Sequence, residues 1–249
     1  FEIDSNSKLV FSLTDSLNQI LCFDLNNKKN HLLSYADFND FQKNHKPNLL
    51  EKEDVPTLTY QNKFYILTGS NHDILYYYNP FNNSMNKICK LINNHKGGVL
   101  IPNEKNQNEL ICLSGCYNKK VEFISLVQKT SKEINEMNVE RSKFGVTFFN
   151  GNFIFALFGF NSLTNKFINS IEYLNLDNLE EGWKFLNFKN EENIPFGIRS
   201  FFTCEYKKQM ICLFGGIYEN EERNPNFLFL KFNNLIRNKS LSSQNNNSN

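Results

Sequence analysis

The chain has 249 residues, with 27 Lys and Arg against 26 Asp and Glu, so no global excess of charge draws in nucleic acid or acidic lipid. That length fills one large domain or two small ones and buries a substantial core. The longest apolar stretch, 153–160, is eight residues, far short of the roughly 20 a membrane-crossing helix needs, and no membrane insertion is expected.

In chain order, the first strand-like segments are 8–13 (KLVFSL), 19–24 and 31–35, and 32–41 is the one stretch where a helical period competes. Next, 57–60 leads through Gln61-Asn62 into 63–69 (KFYILTG), with 74–78 and 85–91 after it. The pattern returns at 109–115 (ELICLSG), 121–126 and 133–137. A third round runs through 144–149, the turn Asn150-Gly151, 152–159 (NFIFALFG), 170–174 and 183–188. The last comprises 200–205, a turn near Lys207-Lys208, 209–216 (QMICLFGG) and 227–232.

The apolar runs are short and rich in Phe, Ile and Tyr, which makes them strands. They are apolar at successive positions, so both faces are buried, as in a sheet packed between neighbouring sheets. Asn150-Gly151 marks a tight hairpin and makes its flanking strands antiparallel. Gly69, Gly115, Gly159 and Gly215 close the runs at intervals of 46, 44 and 56 residues, the longest containing an insertion around 187–193. A four-strand unit at that period predicts an all-β propeller over 1–237, with about five recognisable blades of four antiparallel strands, the first and last incomplete. Residues 238–249 (NKSLSSQNNNSN) form a polar tail with nothing to bury. Beginning at Phe1 without an initiator Met, the sequence reads as a piece of a longer polypeptide.

Residues 137–159 (MNVERSKFGVTFFNGNFIFALFG) resemble the kelch repeat, and 194–216, ending in Gly215-Gly216, is the second clear copy. Tyr77-Tyr78-Asn79-Pro80 and Glu172-Tyr173-Leu174-Asn175-Leu176 are similar to its third strand. Gly69, Gly115 and Gly159 stand where the family prefers a glycine pair, Met85 stands where its Trp is expected in the second unit, and Trp183 is the one tryptophan. The resemblance implies a kelch-type propeller, allows a six-bladed ring, and implies a protein-binding rather than catalytic role.

Catalytic and metal chemistry finds little to stand on. His31, His45, His72 and His95 lie outside metal-ligand spacing. Cys112 and Cys116 have no second ligand pair, and Cys112 shares a repeat position with Cys212 when Gly115 and Gly215 are aligned. Glu180-Glu181, Glu191-Glu192 and Glu221-Glu222 read as solvated turns, and Gly97-Gly98 is not a phosphate loop. No enzyme and no cofactor is expected. The six cysteines, at 22, 89, 112, 116, 204 and 212, read as buried free thiols of a reducing, cytoplasmic compartment.

Before each repeat glycine stands a base, Lys52, Lys96, Arg141 or Arg199, at offsets of 17, 19, 18 and 16 residues. Two readings remain open. Peptide-binding members of the family place arginines at one mouth of the propeller, so these four form a cationic rim for an acidic segment of a partner. Alternatively, each base pairs with a carboxylate or carbonyl of a neighbouring blade. Tyr117, Phe160 and Tyr218 follow their glycines and are either exposed aromatic anchors or tucked under the loops. The expected function is a protein-binding scaffold or adaptor in a cytoplasmic or cytoskeletal assembly. The alternatives are substrate recognition for ubiquitin transfer, which needs a separate upstream domain, and, less favoured, a propeller enzyme.

Overall fold

The computed structural model describes residues 9–13, 19–24, 26–34, 54–68, 72–82, 84–186, 197–206 and 210–231. Strand follows strand through these residues, with one 3₁₀ turn at Leu179–Glu181 as the helical exception. No helix among them is long and apolar enough to cross a membrane.

The first sheet has three strands, β1 (Leu9–Leu13), β2 (Gln19–Asp24) and β3 (Lys29–Ser34), paired in that order. The second runs β4 (Thr57–Tyr60), β5 (Lys63–Thr68), β6 (Ile74–Asn79), β7 (Ser84–Lys90). The third repeats this with β8 (Val99–Pro102), β9 (Glu109–Gly115), β10 (Asn118–Ser125) and β11 (Thr130–Ile134). In the fourth, β12 (Gly145–Phe149) and β13 (Phe153–Leu157) are followed by a small ribbon of β14 (Phe160–Asn161) and β15 (Lys166–Phe167). The sheet then resumes with β16 (Ile171–Asn175) and β17 (Lys184–Phe185). The fifth has β18 (Ile198–Tyr206), β19 (Met210–Tyr218) and β20 (Phe227–Lys231). All pairings are antiparallel.

The last four sheets are arranged as the blades of a four-bladed β-propeller. Their first strands or the residues leading into them, at 55–57, 98–100, 144–146 and 201–203, line one central cavity of about 230 Å³. This corrects the expected count of about five blades and a six-bladed ring. The first sheet brings β1 against β4 but places no residue in the cavity lining, because its described strands start with the copy that lacks the repeat glycine.

Burial on both faces follows from composition. One core between the second and third sheets holds Tyr65, Leu67, Leu75, Leu100, Leu110 and Ile124. The next, between the third and fourth, gathers Ile111, Leu113, Val121, Phe144, Ile154 and Trp183. The core between the fourth and fifth gathers Phe149, Phe155, Leu157, Ile171, Ile211 and Leu213. Each such side chain contributes about 1.5–3 kcal/mol when fully buried. Trp183 also satisfies its ring N–H, which donates to the Asn135 carbonyl at 3.0 Å. On the fifth sheet the second face is open: Phe202, Phe214 and Phe227 stack across it at 5.3 and 5.7 Å.

Several expectations shift. The fourth strand expected at 133–137 is β11, three residues earlier, and of that expected at 183–188 the described residues 183–186 hold β17, with 187–188 outside the described residues. The inner strand β8 and the ribbon β14–β15 have no counterpart in the sequence reading. Residues 35–41 of the ambiguous stretch, Gly69, the turn at Lys207-Lys208 and the tail from 238 lie outside the described residues. All six cysteines are free, but Cys204 is exposed and Cys116 half-buried.

The glycine register moves by one in the last blade. Gly159 and Gly216 share φ values of 96° and 97°, while Phe158 and Gly215 before them sit at 51° and 69°. At Gly159 a Cβ would lie 2.5 Å from the Phe144 Cβ, so only glycine fits. Gly216, not Gly215, is therefore the repeat glycine, and Gly215 matches Phe158 and Ser114, which is also left-handed at 50°. With that register Cys112 corresponds to Leu213 rather than to Cys212.

Candidate functional site

The chain enters β4, β8 and β12 through one left-handed residue, Asp54 (φ 68°), Gly97 (69°) and Lys143 (54°), and β18 carries its own, Ser200 (57°), unpaired at its third position. These four are joined by backbone hydrogen bonds. The Gly97 N–H donates to the Asp54 carbonyl at 2.7 Å, Lys143 to Gly97 at 2.8 Å and Ser200 to Lys143 at 2.7 Å. They mark one mouth of the propeller, and the loops that follow the repeat glycines open there.

Counting back from this row separates the bases that the sequence groups together. One residue earlier stand Lys96, Ser142 and Arg199, and two residues earlier His95, Arg141 and Ile198. Strand-like pairing agrees, since the Lys96 and Ser142 carbonyls accept from Cys116 and Phe160 just past their glycines, and Arg199 pairs with Ile217 just past Gly216. Arg141 is thus equivalent to His95, and Arg199 to Lys96. Lys52 lies outside the described residues.

Arg141 is fully buried, which corrects its assignment to an open rim. Its guanidinium donates to Glu172 Oε1 from Nε at 3.1 Å and Nη2 at 2.8 Å, to the Phe158 carbonyl at 2.9 Å, and to Ser170 O and Oγ at 2.8 Å each. Glu172 in turn accepts from the Asn138 and Val139 backbone N–H groups at 2.7 and 3.2 Å. Burial depresses the arginine's pKa below its ordinary value, and the Glu172 carboxylate opposes that shift. Arg141 is thus paired, as the second reading of the bases has it, but with partners of the fourth sheet that it leads into and not of a neighbouring blade.

His95 and Glu122 repeat the arrangement one blade earlier. Glu122 accepts from Ile92 N–H at 3.0 Å, from Asn93 N–H and Nδ2 at 2.8 and 3.0 Å, and from His95 Nε2 at 3.2 Å. His95 Nδ1 lies 2.7 Å from the Ser114 carbonyl, so both ring nitrogens face acceptors and the imidazolium is favoured. Burial alone would lower its pKa. The Cys112 sulfur, Glu122 and the Ser114 carbonyl outweigh burial and raise it to about 10. Burial likewise works to raise Glu122, but its hydrogen bonds hold it near 2.

Arg199 is half-buried at the mouth. Its guanidinium stands 5.6 and 5.4 Å from the Phe160 and Phe167 rings and donates to Glu221 at 2.9 and 3.1 Å. Lys143 pairs with Asp54 at 3.0 Å. Phe160 thus serves as a platform for Arg199, and Tyr218 packs at the margin of the core between the last two blades. Tyr117 projects outward with 72 % exposure.

What holds Tyr117 there was missed in the sequence. Glu140, only 4 % exposed, accepts from Tyr117 N–H at 3.0 Å on one loop and from Ser162 and Leu163 N–H at 3.2 and 3.4 Å on the next. One carboxylate therefore locks two blades' loops together and sets Tyr117 beside Leu163, itself 67 % exposed. For Glu122 and Glu172 a signal existed: each interrupts an apolar third strand at the same position, Val121-Glu122-Phe123 and Ile171-Glu172-Tyr173. Glu140 had none, since it stands in a polar loop.

Fold and site together define the class, a β-propeller with a loop-built mouth. Among known proteins, no family model matches the chain, and no curated protein is significantly similar to it.

Proposed function

We propose that the chain is a kelch-type propeller that binds other proteins through this mouth, as a non-enzymatic scaffold or adaptor of a cytoplasmic or cytoskeletal assembly. The observation that carries the reading is the Glu140 clamp. It fixes Tyr117 and Leu163, two exposed apolar side chains, on rigid blades, which spares a partner the entropy of ordering them. The kelch assignment rests on the repeat glycines and on the arginine and glutamate of the fourth sheet. Free cysteines fit a reducing compartment. The pairing of Arg199 with Glu221 and of Lys143 with Asp54 favours an apolar anchor over an acidic segment as the partner's contact.

Affinity capture tests this. Proteins retained by the wild type are expected to be lost with Tyr117→Ala/Leu163→Ala and kept with Gln128→Ala at the other end of the blades. Because both mouth residues are exposed, unfolding free energy should change by no more than about 0.5 kcal/mol each. Retention unchanged in the double variant would count against the mouth as the binding face.

A further inference from the structure

At the end of the blades opposite the mouth, the core between the second and third sheets opens into a cleft of about 340 Å³. Three lysines border it: Lys63 on β5, Lys87 on β7 and Lys129 in the turn between β10 and β11. No Asp or Glu is among the residues lining it. None of the three lysines has a carboxylate partner among the described residues. Lys63 Nζ stands 4.9 Å from the centre of the Tyr77 ring.

Tyr65 also lines the cleft, and it is 99 % buried. No hydrogen bond to another described residue engages its hydroxyl, which leaves it free to donate into the cleft. Burial, with Tyr60 and Tyr77 nearby, pushes that hydroxyl up to about 12, so it keeps its proton as a donor at neutral pH. Ile88, Leu126 and Val127 add an apolar stretch to the wall, and Gln61, Asn86 and Asn108 complete it with side-chain amides.

Three like charges around one partly desolvated cleft repel one another, and an anion relieves that repulsion while accepting from the idle hydroxyl. The apolar stretch of Ile88, Leu126 and Val127 beside them suits the body that carries the charge. We propose that this cleft binds a phosphate monoester carried on an aromatic or apolar body. The group belongs either to a small molecule or to a phosphorylated tyrosine side chain of a partner. The cleft is remote from the mouth, so this inference stands or falls independently of the proposed function.

The probe is phenyl phosphate, titrated into the full chain at pH 7.5 and low salt by calorimetry. Saturable one-to-one binding is expected. Lys87→Ala/Lys129→Ala, both exposed sites, should weaken it on the order of ten-fold. Tyr65→Phe, which deletes the hydroxyl alone, should weaken it about three-fold or more at an unchanged melting temperature. At pH 5, where the ester is a monoanion, binding should also fall. A neutral phosphotyrosine peptide that binds more tightly than phenyl phosphate assigns the source to a partner chain, and equal affinity assigns it to a small molecule. Absence of saturable binding, equal affinity in the double lysine variant, or displacement by benzyl alcohol at matched concentration would overturn the proposal. Tyr117→Ala/Leu163→Ala should leave this binding unchanged.

Discussion

The third and fourth sheets solve one problem with different cations. In each, a glutamate in the middle of the third strand captures the N–H groups of the chain arriving from the preceding sheet, Ile92 and Asn93 for Glu122, Asn138 and Val139 for Glu172. In each, a cation two residues further on bridges that carboxylate to the carbonyl before the repeat glycine. His95 reaches Ser114, and Arg141 reaches Phe158. The fifth sheet dispenses with charge altogether, placing Ile198 and Leu228 at the two positions. In these three sheets acid and base are present together or absent together, as expected where a lone buried charge is far costlier than a pair or an apolar replacement.

The comparison breaks most visibly at Arg141. Arg141→Ala leaves Glu172 with two backbone donors, strands the Phe158 carbonyl and leaves the Ser170 carbonyl with the Phe158 N–H alone, and should cost about 3–5 kcal/mol in urea denaturation. Converting the pair to the fifth sheet's solution, Arg141→Ile with Glu172→Leu, should recover at least half of that loss. A double variant as unstable as the single would mean that the guanidinium's carbonyl contacts, not charge compensation, hold the clasp. His95→Ala should be milder, about 1.5–3 kcal/mol, since Glu122 retains three N–H donors. Equal costs at the two sites would remove the distinction between them.

Why some of this was legible beforehand and some not has a physical basis. Runs apolar on both faces identify β5, β9, β13 and β19, because only a sheet between sheets needs them, and Asn150-Gly151 accepts the left-handed φ of 52° and 68° its turn imposes. The equivalence of bases was obscured by hairpin length. Tyr60 and Lys63 are joined by two residues, but Pro102 and Leu110 by seven. Counting back from the glycine therefore lands on Lys96 in place of His95. The glycine pair concealed its register in the same way, because Ser114 and Phe158 adopt the left-handed conformation that Gly215 takes without strain. Glu140 was beyond reach, since nothing in a polar loop announces that its carboxylate turns inward to three amides of two other loops.

The finest distinction between the clasps is their response to alkali. His95 has its pKa raised from 6.5 to about 10, so its contribution to stability is complete below 6.5 and drains away as pH climbs through 10, by at most about 1.4 kcal/mol per pH unit. Glu122, held near 2, stays ionised throughout, and a guanidinium such as that of Arg141 keeps its charge in proteins. The buried thiols Cys22 and Cys89, pushed up to about 11, begin to cost stability only above their ordinary value of 9. Between pH 7 and 9 the fall in denaturation midpoint should therefore come chiefly from His95, and His95→Gln should flatten it. A slope that survives the substitution would place the titrating group elsewhere and leave the histidine neutral. In that case the Ser114 carbonyl would hold the one ring proton on Nδ1, Nε2 would face Glu122 without a hydrogen, and the likeness to Arg141 would be one of shape rather than of charge.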